Sequence, residues 1–353
     1  MLAHIRLRDF RCFETLEASL APGIQFFIGD NAEGKTSILE AVCALLRLAS
    51  PRSGVLGPLV RQGAEAFSLQ GRWDTRQLQF SFGPASGRRL VLDEVEQSGA
   101  GEYLRVGRVV YFGNSDVELV RGPGEGRRRF LDFLGMQIEP LYRTHLRAYE
   151  RALRSRNRLL KAVPLRRREV EAYDRPLIDA GTLLMQLRRS LVAELLPWAL
   201  AGQEAIRAGG GEAGEQLALE YRAGAGEDFG ASLEATRDEE GRLRQTLAGP
   251  HRDDVLLTLG GRPAGVYGSE GQQRTLALSL KLAQAGFLES IWRTPPLLLL
   301  DDIFGELDPA RRNAFLAALP AGAQQLVTTT HLGWLSGPAP GPVWRLRGRR
   351  LEA

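Results

Sequence analysis

The sequence predicts an α/β fold interrupted by an α-helical lobe, and three observations carry that expectation. Ile24-Gln25-Phe26-Phe27-Ile28 reads as a strand, a glycine-bearing loop follows, and Ile38, Leu39, Val42, Leu45 and Leu46 then recur at helical spacing. Far downstream, Pro296-Leu297-Leu298-Leu299-Leu300-Asp301-Asp302 is an apolar run ending in two carboxylates, as expected of a strand in a parallel sheet covered on both faces. Between them, over residues 124–208, the periodicity changes from two to helical, and Pro140, Pro164, Pro176 and Pro197 divide the stretch into several helices.

In chain order, residues 1–120 form the first part of the α/β domain and open on the alternating strand Ile5-Arg6-Leu7-Arg8-Asp9-Phe10. Residues 121–210 form the inserted lobe, which Gly209-Gly210-Gly211 closes. Residues 211–353 complete the domain, beginning with the strand Leu217-Ala218-Leu219-Glu220-Tyr221. The 353 residues, 44% hydrophobic and 25% charged, suit a large globular domain with an insertion. The longest purely aliphatic run, residues 297–300, is far too short to cross a bilayer, and the N-terminal strand has no signal-peptide core. A cytoplasmic protein without a membrane partner is expected. Cys12 and Cys43 have neither metal-ligand nor disulfide-framework spacing.

Each position of Gly29-Asp30-Asn31-Ala32-Glu33-Gly34-Lys35-Thr36, with Ser37 behind it, has a role in the G-x-x-x-x-G-K-[ST] pattern that binds nucleotide phosphates. The glycines bring backbone N–H groups against phosphate oxygens. Lys35 supplies a point charge to the terminal phosphates of ATP, and the Thr36 hydroxyl is a ligand for Mg²⁺. Asp301, at the end of the apolar strand, is the second expected Mg²⁺ ligand, and Asp302 would orient or polarise the attacking water.

Further motifs resemble those of the ATP-binding-cassette (ABC) superfamily. Gly305-Glu306-Leu307-Asp308 resembles its D-loop, and Val327-Thr328-Thr329-Thr330-His331 its switch-histidine strand, which would bring His331 to the γ-phosphate. Tyr267-Gly268-Ser269-Glu270-Gly271-Gln272-Gln273-Arg274 resembles the signature loop, with Ser269, Gly271 and Gln272 in the matching positions. On the helix that follows, Leu276, Leu278, Leu280, Leu282, Ala283 and Phe287 are expected on the apolar side, Ser279 and Lys281 on the polar side. In that superfamily the signature serves ATP bound to the other subunit, so the resemblance implies an ATP-dependent homodimer. No glutamine follows the strand Val109-Val110-Tyr111-Phe112, where such proteins place one; Asn114 is the nearest amide. Asp302 stands where most carry glutamate, and its shorter side chain implies slow hydrolysis.

Four segments narrow the resemblance to the RecF family of bacterial recombination mediators. They are Leu7-Arg8-Asp9-Phe10-Arg11-Cys12-Phe13, the stretch 116–132 with Arg127-Arg128-Arg129, Gly249-Pro250-His251-Arg252-Asp253-Asp254, and Ser269 through Arg274. The resemblance runs nearly end to end. It implies that Arg11 joins the nucleotide contacts, and that the protein acts on double-stranded DNA and at single-strand/double-strand gap junctions with RecR and RecO to load RecA. The residues alone give residues 249–254 either of two roles, a polar turn or a support for the signature loop.

Within the expected lobe, Arg143, Arg147, Arg151, Arg154, Arg158 and Lys161 fall on one helical stripe, with Glu150 the sole acid from Arg143 to Arg168. Such a stripe suits the DNA phosphate backbone; a solvated face in an arginine-rich chain is the alternative. Leu146, Tyr149, Leu153 and Leu160 should pack inward. Two other functional classes stay open: a nucleotide-gated DNA clamp with incidental hydrolysis, and a chromosome-maintenance-type repair ATPase partnering a nuclease.

Overall fold

The computed structural model describes residues 1–208, 215–335 and 337–352, so the expected exit loop at Gly209-Gly210-Gly211 lies outside them. The chain divides into two compact units, one of Met1–Ser115, Ala205–Glu212 and Gln284–Ala353, the other of Asp116–Glu204 and Ala213–Ala283.

The first unit is built on two six-stranded sheets. One is antiparallel throughout, ordered Phe13–Ser19, Leu2–Phe10, Phe67–Trp73, Arg76–Gly83, Gly87–Leu92, Val95–Glu96. In the other, Val343–Arg347, Ile24–Ile28, Gln325–Thr329, Leu297–Asp301 and Val109–Gly113 run parallel, and Arg350–Glu352 adds an antiparallel edge. The helix Lys35–Arg47 touches strands of both sheets and is buried on nearly every side from Ile38 to Arg47. A helix so enclosed needs apolar residues all round, which its run Ala41-Val42-Cys43-Ala44-Leu45-Leu46 supplies. Its three buried charges, Lys35, Glu40 and Arg47, all have polar partners. Glu40 meets the Arg11 guanidinium, and Arg47 donates to the carbonyls of Leu104 and Gly107.

Helices dominate the second unit: Gly124–Ile138, Tyr142–Leu160, Arg167–Glu171, Asp174–Arg207 and Phe229–Leu243. Three expectations are corrected here. Pro197 does not end a helix but lies inside Asp174–Arg207, a 34-residue helix. One lost backbone bond is offset by burial on either side of it, at Leu191, Val192, Leu195 and Ala199. The strands Leu217–Arg222 and Asp254–Leu259 do not resume the large sheets; with Arg262–Pro263 they form a separate three-stranded antiparallel sheet that groups with the helices. Only Asp254–Leu259 and Arg262–Pro263 form a tight hairpin; Leu217–Arg222 pairs across the intervening helix Phe229–Leu243. Finally, Ser279 and Lys281 do not face solvent. The helix Glu270–Trp292 is buried almost all round between Thr275 and Leu288, with Ser279 bonded to the Thr275 carbonyl and the Lys281 ammonium over the Phe130 ring.

No helix among the described residues is long and apolar enough to cross a membrane.

Candidate functional site

In the parallel sheet, the strand Leu297–Asp301 lies between Gln325–Thr329 and Val109–Gly113, and the strand Ile24–Ile28 comes next but one. Loops at the carboxyl ends of these strands therefore converge, the usual place for a ligand in an α/β sheet. The glycine loop leaves Ile28, and Gly34 caps the helix at φ 107°, a left-handed angle. A Cβ there would sit 2.7 Å from both Cys12 Sγ and Phe13 Cζ, so only glycine fits. Lys35 is buried, its ammonium donating to the carbonyls of Gly29 at 2.6 Å and Asp30 at 2.8 Å.

Thr36 donates to Asp301 Oδ1 at 2.8 Å, joining two residues 265 positions apart. Asp301 accepts two further hydroxyls, Thr328 to Oδ1 at 2.7 Å and Tyr111 to Oδ2 at 2.6 Å. Thr328 stands directly opposite Asp301 in the ladder and also accepts the Asp302 N–H at 3.1 Å. The three groups that hold Asp301 are all neutral hydroxyls. Thr36 and Asp301 offer hard oxygen donors of the kind that Mg²⁺ selects.

Asp302 adopts φ 53°, ψ 28°, the left-handed region that is uncommon outside glycine and turns up at functional positions. Burial raises its carboxyl above the ordinary value, and Asp301 and Glu306 add to that against the opposing pull of Lys35 and His331. Asn114, the nearest amide to the missing glutamine, donates to the Asp302 carbonyl at 3.3 Å. His331 is exposed just beyond the strand Gln325–Thr329, its Nδ1 accepting the Gly333 N–H at 3.2 Å.

A cleft of about 1210 Å³ gathers Asn31, Ala32, Gly34, Lys35, Thr36, Ser37 and Asp302 with Arg11. Asp30 and Glu33 belong to the same loop, and Glu33 accepts the Arg349 N–H at 3.1 Å. Arg11 forms a two-pronged pair with the fully buried Glu40, both contacts 2.7 Å, and donates to the Pro58 carbonyl. Arg52, Arg61, Arg349 and Arg350 also line the cleft, which is therefore strongly basic. Sequence reasoning missed Tyr111 and Thr328; their link to Asp301 exists only once the strand order is known.

In the second unit Ser269 N–H donates to Gln272 Oε1 at 2.8 Å, and Gln272 N–H to Ser269 Oγ at 3.2 Å. This reciprocal pair caps the helix Glu270–Trp292, whose first turn includes Gly271, and leaves an exposed helix N-terminus of the kind that attracts anions. On the helix Tyr142–Leu160 and just past it, Arg147, Arg151, Arg154, Arg158 and Lys161 are exposed, whereas Arg143 is half-buried. Glu150 lies 3.8 Å from Arg154. Tyr149 and Leu160 are buried, and Leu146 and Leu153 half-buried. Arg156, outside the stripe, is 1% exposed and paired with Asp174 and Glu240.

Residues 4–64 match a family model described as an AAA domain. The DNA replication and repair protein RecF of Symbiobacterium thermophilum is 36% identical over 98% of this chain and 96% of its own length. That of Anaeromyxobacter dehalogenans is 39% identical over 97% and 95%. A solved structure of the recombination mediator RecF with ATP, from the RecFOR pathway, superposes with a TM-score of 0.88 at 26% identity, covering 99% of this chain and 96% of that one. An Smc head domain shares the fold alone, with a TM-score of 0.54 at 12% identity over 99% and 96%. With relatives this similar along nearly their whole length, and an ABC-type nucleotide-binding fold beneath them, the chain belongs to the RecF family of DNA replication and repair proteins.

Proposed function

We propose that this protein is an ATP-driven recombination mediator that closes as a homodimer on DNA. It would act on duplex and at single-strand/double-strand gap junctions, together with RecR and RecO, to help load RecA. The observation that supports the reading is the 2.8 Å contact of Thr36 with Asp301, which joins the glycine-loop helix to the acidic strand end, with Thr36 lining a cleft rich in arginine.

Here Lys35 and the glycine-loop N–H groups would hold the phosphates of ATP, and Thr36 and Asp301 would hold Mg²⁺. Bound there, Mg²⁺ would supply charge neutralisation to the terminal phosphoryl oxygens. Asp302 would orient the attacking water, and His331 would contact the γ-phosphate. Asp302 reaches one methylene less far than the usual glutamate, so hydrolysis is slow and serves as a release switch. Ser269, Gly271 and Gln272 would engage the γ-phosphate held by a second copy, making nucleotide part of the interface. The exposed basic stripe from Arg147 to Lys161, with Arg143 behind it, would follow the DNA backbone without reading bases.

Analytical sedimentation tests this reading with ATP, ADP or no nucleotide, with and without duplex. Wild type should dimerise with a non-hydrolysable ATP analogue and dissociate with ADP. Ser269→Arg should bind nucleotide yet remain monomeric. A wild type that stays monomeric when saturated with the analogue and duplex overturns the proposal.

A further inference from the structure

The segment Gly249-Pro250-His251-Arg252-Asp253-Asp254 lies at the centre of a hydrogen-bonded network confined to the second unit. Gly249 begins it at φ 128°, where a Cβ would stand 2.6 Å from the Tyr149 hydroxyl. Tyr149 belongs to the helix of the basic stripe, and its hydroxyl lies 2.6 Å from His251 Nδ1. His251 Nε2 lies 3.0 Å from the Thr246 carbonyl, which can only accept. Nε2 therefore carries the imidazole proton, and Tyr149 donates to Nδ1. Burial lowers the His251 pKa, in keeping with that neutral ring.

Past His251 in the chain, the two aspartates of the segment make separate connections. Asp253 is fully buried and accepts Arg188 at 2.8 Å, the Tyr221 hydroxyl at 2.7 Å and the Gly224 N–H at 2.8 Å. Arg188 continues to both oxygens of Asp132, which also accepts the hydroxyl of Tyr142, a second residue of the basic helix. Asp254 meets the Arg127 guanidinium on both oxygens, at 2.7 and 3.0 Å. Arg127 in turn donates to the carbonyls of Leu119 and Gly122, fixing the short helix Glu118–Arg121.

That short helix sits against Ala264–Tyr267, the turn of helix immediately before the signature loop. A Cβ at Gly265 would lie 2.6 Å from the Val120 carbonyl. Gln273 ties the two parts of the loop together, its amide reaching the carbonyls of Ala264, Gly265 and Gly268 at 3.0–3.3 Å. A path of hydrogen bonds, of chain neighbours within residues 249–254 and of one close backbone approach, Gly265 against Val120, thus leads from the basic helix to the cap formed by Ser269 and Gln272.

We propose that Tyr149, His251, Asp253, Asp254 and Arg127 act as positioning residues that couple DNA held on the basic helix to the setting of the signature loop. The inference rests on the ATP and DNA reading above. Buried polar networks suit such a role because they have few satisfied arrangements, so a shift at one end is passed on rather than absorbed. By reciprocity, the same coupling makes bound nucleotide tighten DNA binding.

The test measures duplex affinity by fluorescence anisotropy with and without a non-hydrolysable ATP analogue; the ratio of the two Kd values reports the coupling. Tyr149→Phe and, separately, Tyr221→Phe each remove one hydroxyl and leave the ring, and thermal melting checks that each variant folds. The expected result is nucleotide-free affinity within about twofold of wild type, with the ratio lowered at least about fivefold, the lower end of ordinary coupling. Variants that keep the wild-type ratio overturn the coupling and leave the ATP and DNA reading intact. Variants that lose affinity equally in both states show a merely structural support, which also overturns it. A wild-type ratio of one removes both.

Discussion

The carboxylates of Asp301 and Asp253 each accept three close hydrogen bonds, and the contrast between their partners separates the two regions of this molecule. Asp301 is held by the hydroxyls of Thr36, Thr328 and Tyr111, all neutral, beside a cleft of about 1210 Å³. Asp253 is closed in by the Arg188 guanidinium, the Tyr221 hydroxyl and a backbone N–H, with no exposed surface. A carboxylate oriented by hydroxyls keeps its charge for a cation that arrives later. One already neutralised by arginine has spent that charge on the fold. The two carboxylates thus differ in the charge of their neighbours and not in the number of these bonds.

The contrast breaks most sharply at Arg188. Arg188→Ala strands Asp253 and Asp132 without their cation, and chemical denaturation of the second unit should show a loss of about 3–5 kcal/mol. A loss below about 1 kcal/mol would mean that the network holds little of the fold. Asp301→Asn should behave in the opposite way. It keeps hydroxyl partners and stability but removes the anion, so ATP turnover should fall on the order of 10²-fold or more while the melting temperature barely moves. Equal turnover in a Mg²⁺ titration would exclude Asp301 as a metal ligand.

Reversing Arg147 and Arg151 to glutamate probes the basic helix. If each arginine neutralises one phosphate, the slope of log K against log salt for duplex binding should fall by about 2, at about 0.9 per phosphate. An unchanged slope would return the stripe to a solvated face. A pH profile sharpens the reading of Asp302. Burial, Asp301 and Glu306 raise its carboxyl, so in the nucleotide-free, metal-free protein a titration followed by carboxyl NMR shifts should place it above the ordinary aspartate value of 3.8, with the signal absent in Asp302→Asn. In stability the same shift has a definite sign. Its unfavourable contribution is present above the folded pKa and disappears as pH falls below the ordinary value. The smallest effect is expected at Tyr111→Phe, which removes one of three bonds to Asp301 and should cost about 1 kcal/mol, read as weaker Mg²⁺ dependence of turnover.

Sequence periodicity and motif were enough where chemistry demands particular residues at fixed short spacing. Residues 29–37 form the tight turn that the motif demands because Gly29 and Gly34 leave no room for a Cβ, and the 13-residue helix behind them shows its apolar spacing plainly. The strand before Asp301 and the basic stripe were legible for similar local reasons. Periodicity failed at Ser279 and Lys281, because a helix enclosed on all sides has no polar face to announce, and at Pro197, because packing outweighed one broken backbone bond.

By itself, then, the chain determined the loop, the acidic strand end, the capped signature helix and the run of arginines, since each depends on neighbours within a few residues. Tertiary structure alone decided that Thr328 and Tyr111 complete the setting of Asp301, and that residues 249–254 bind Arg188, Tyr149 and Arg127. The two contacts to Asp301 join positions 27 and 190 residues apart. No local propensity encodes such a pairing; it follows from strand order and from the need of every buried polar group to find a partner.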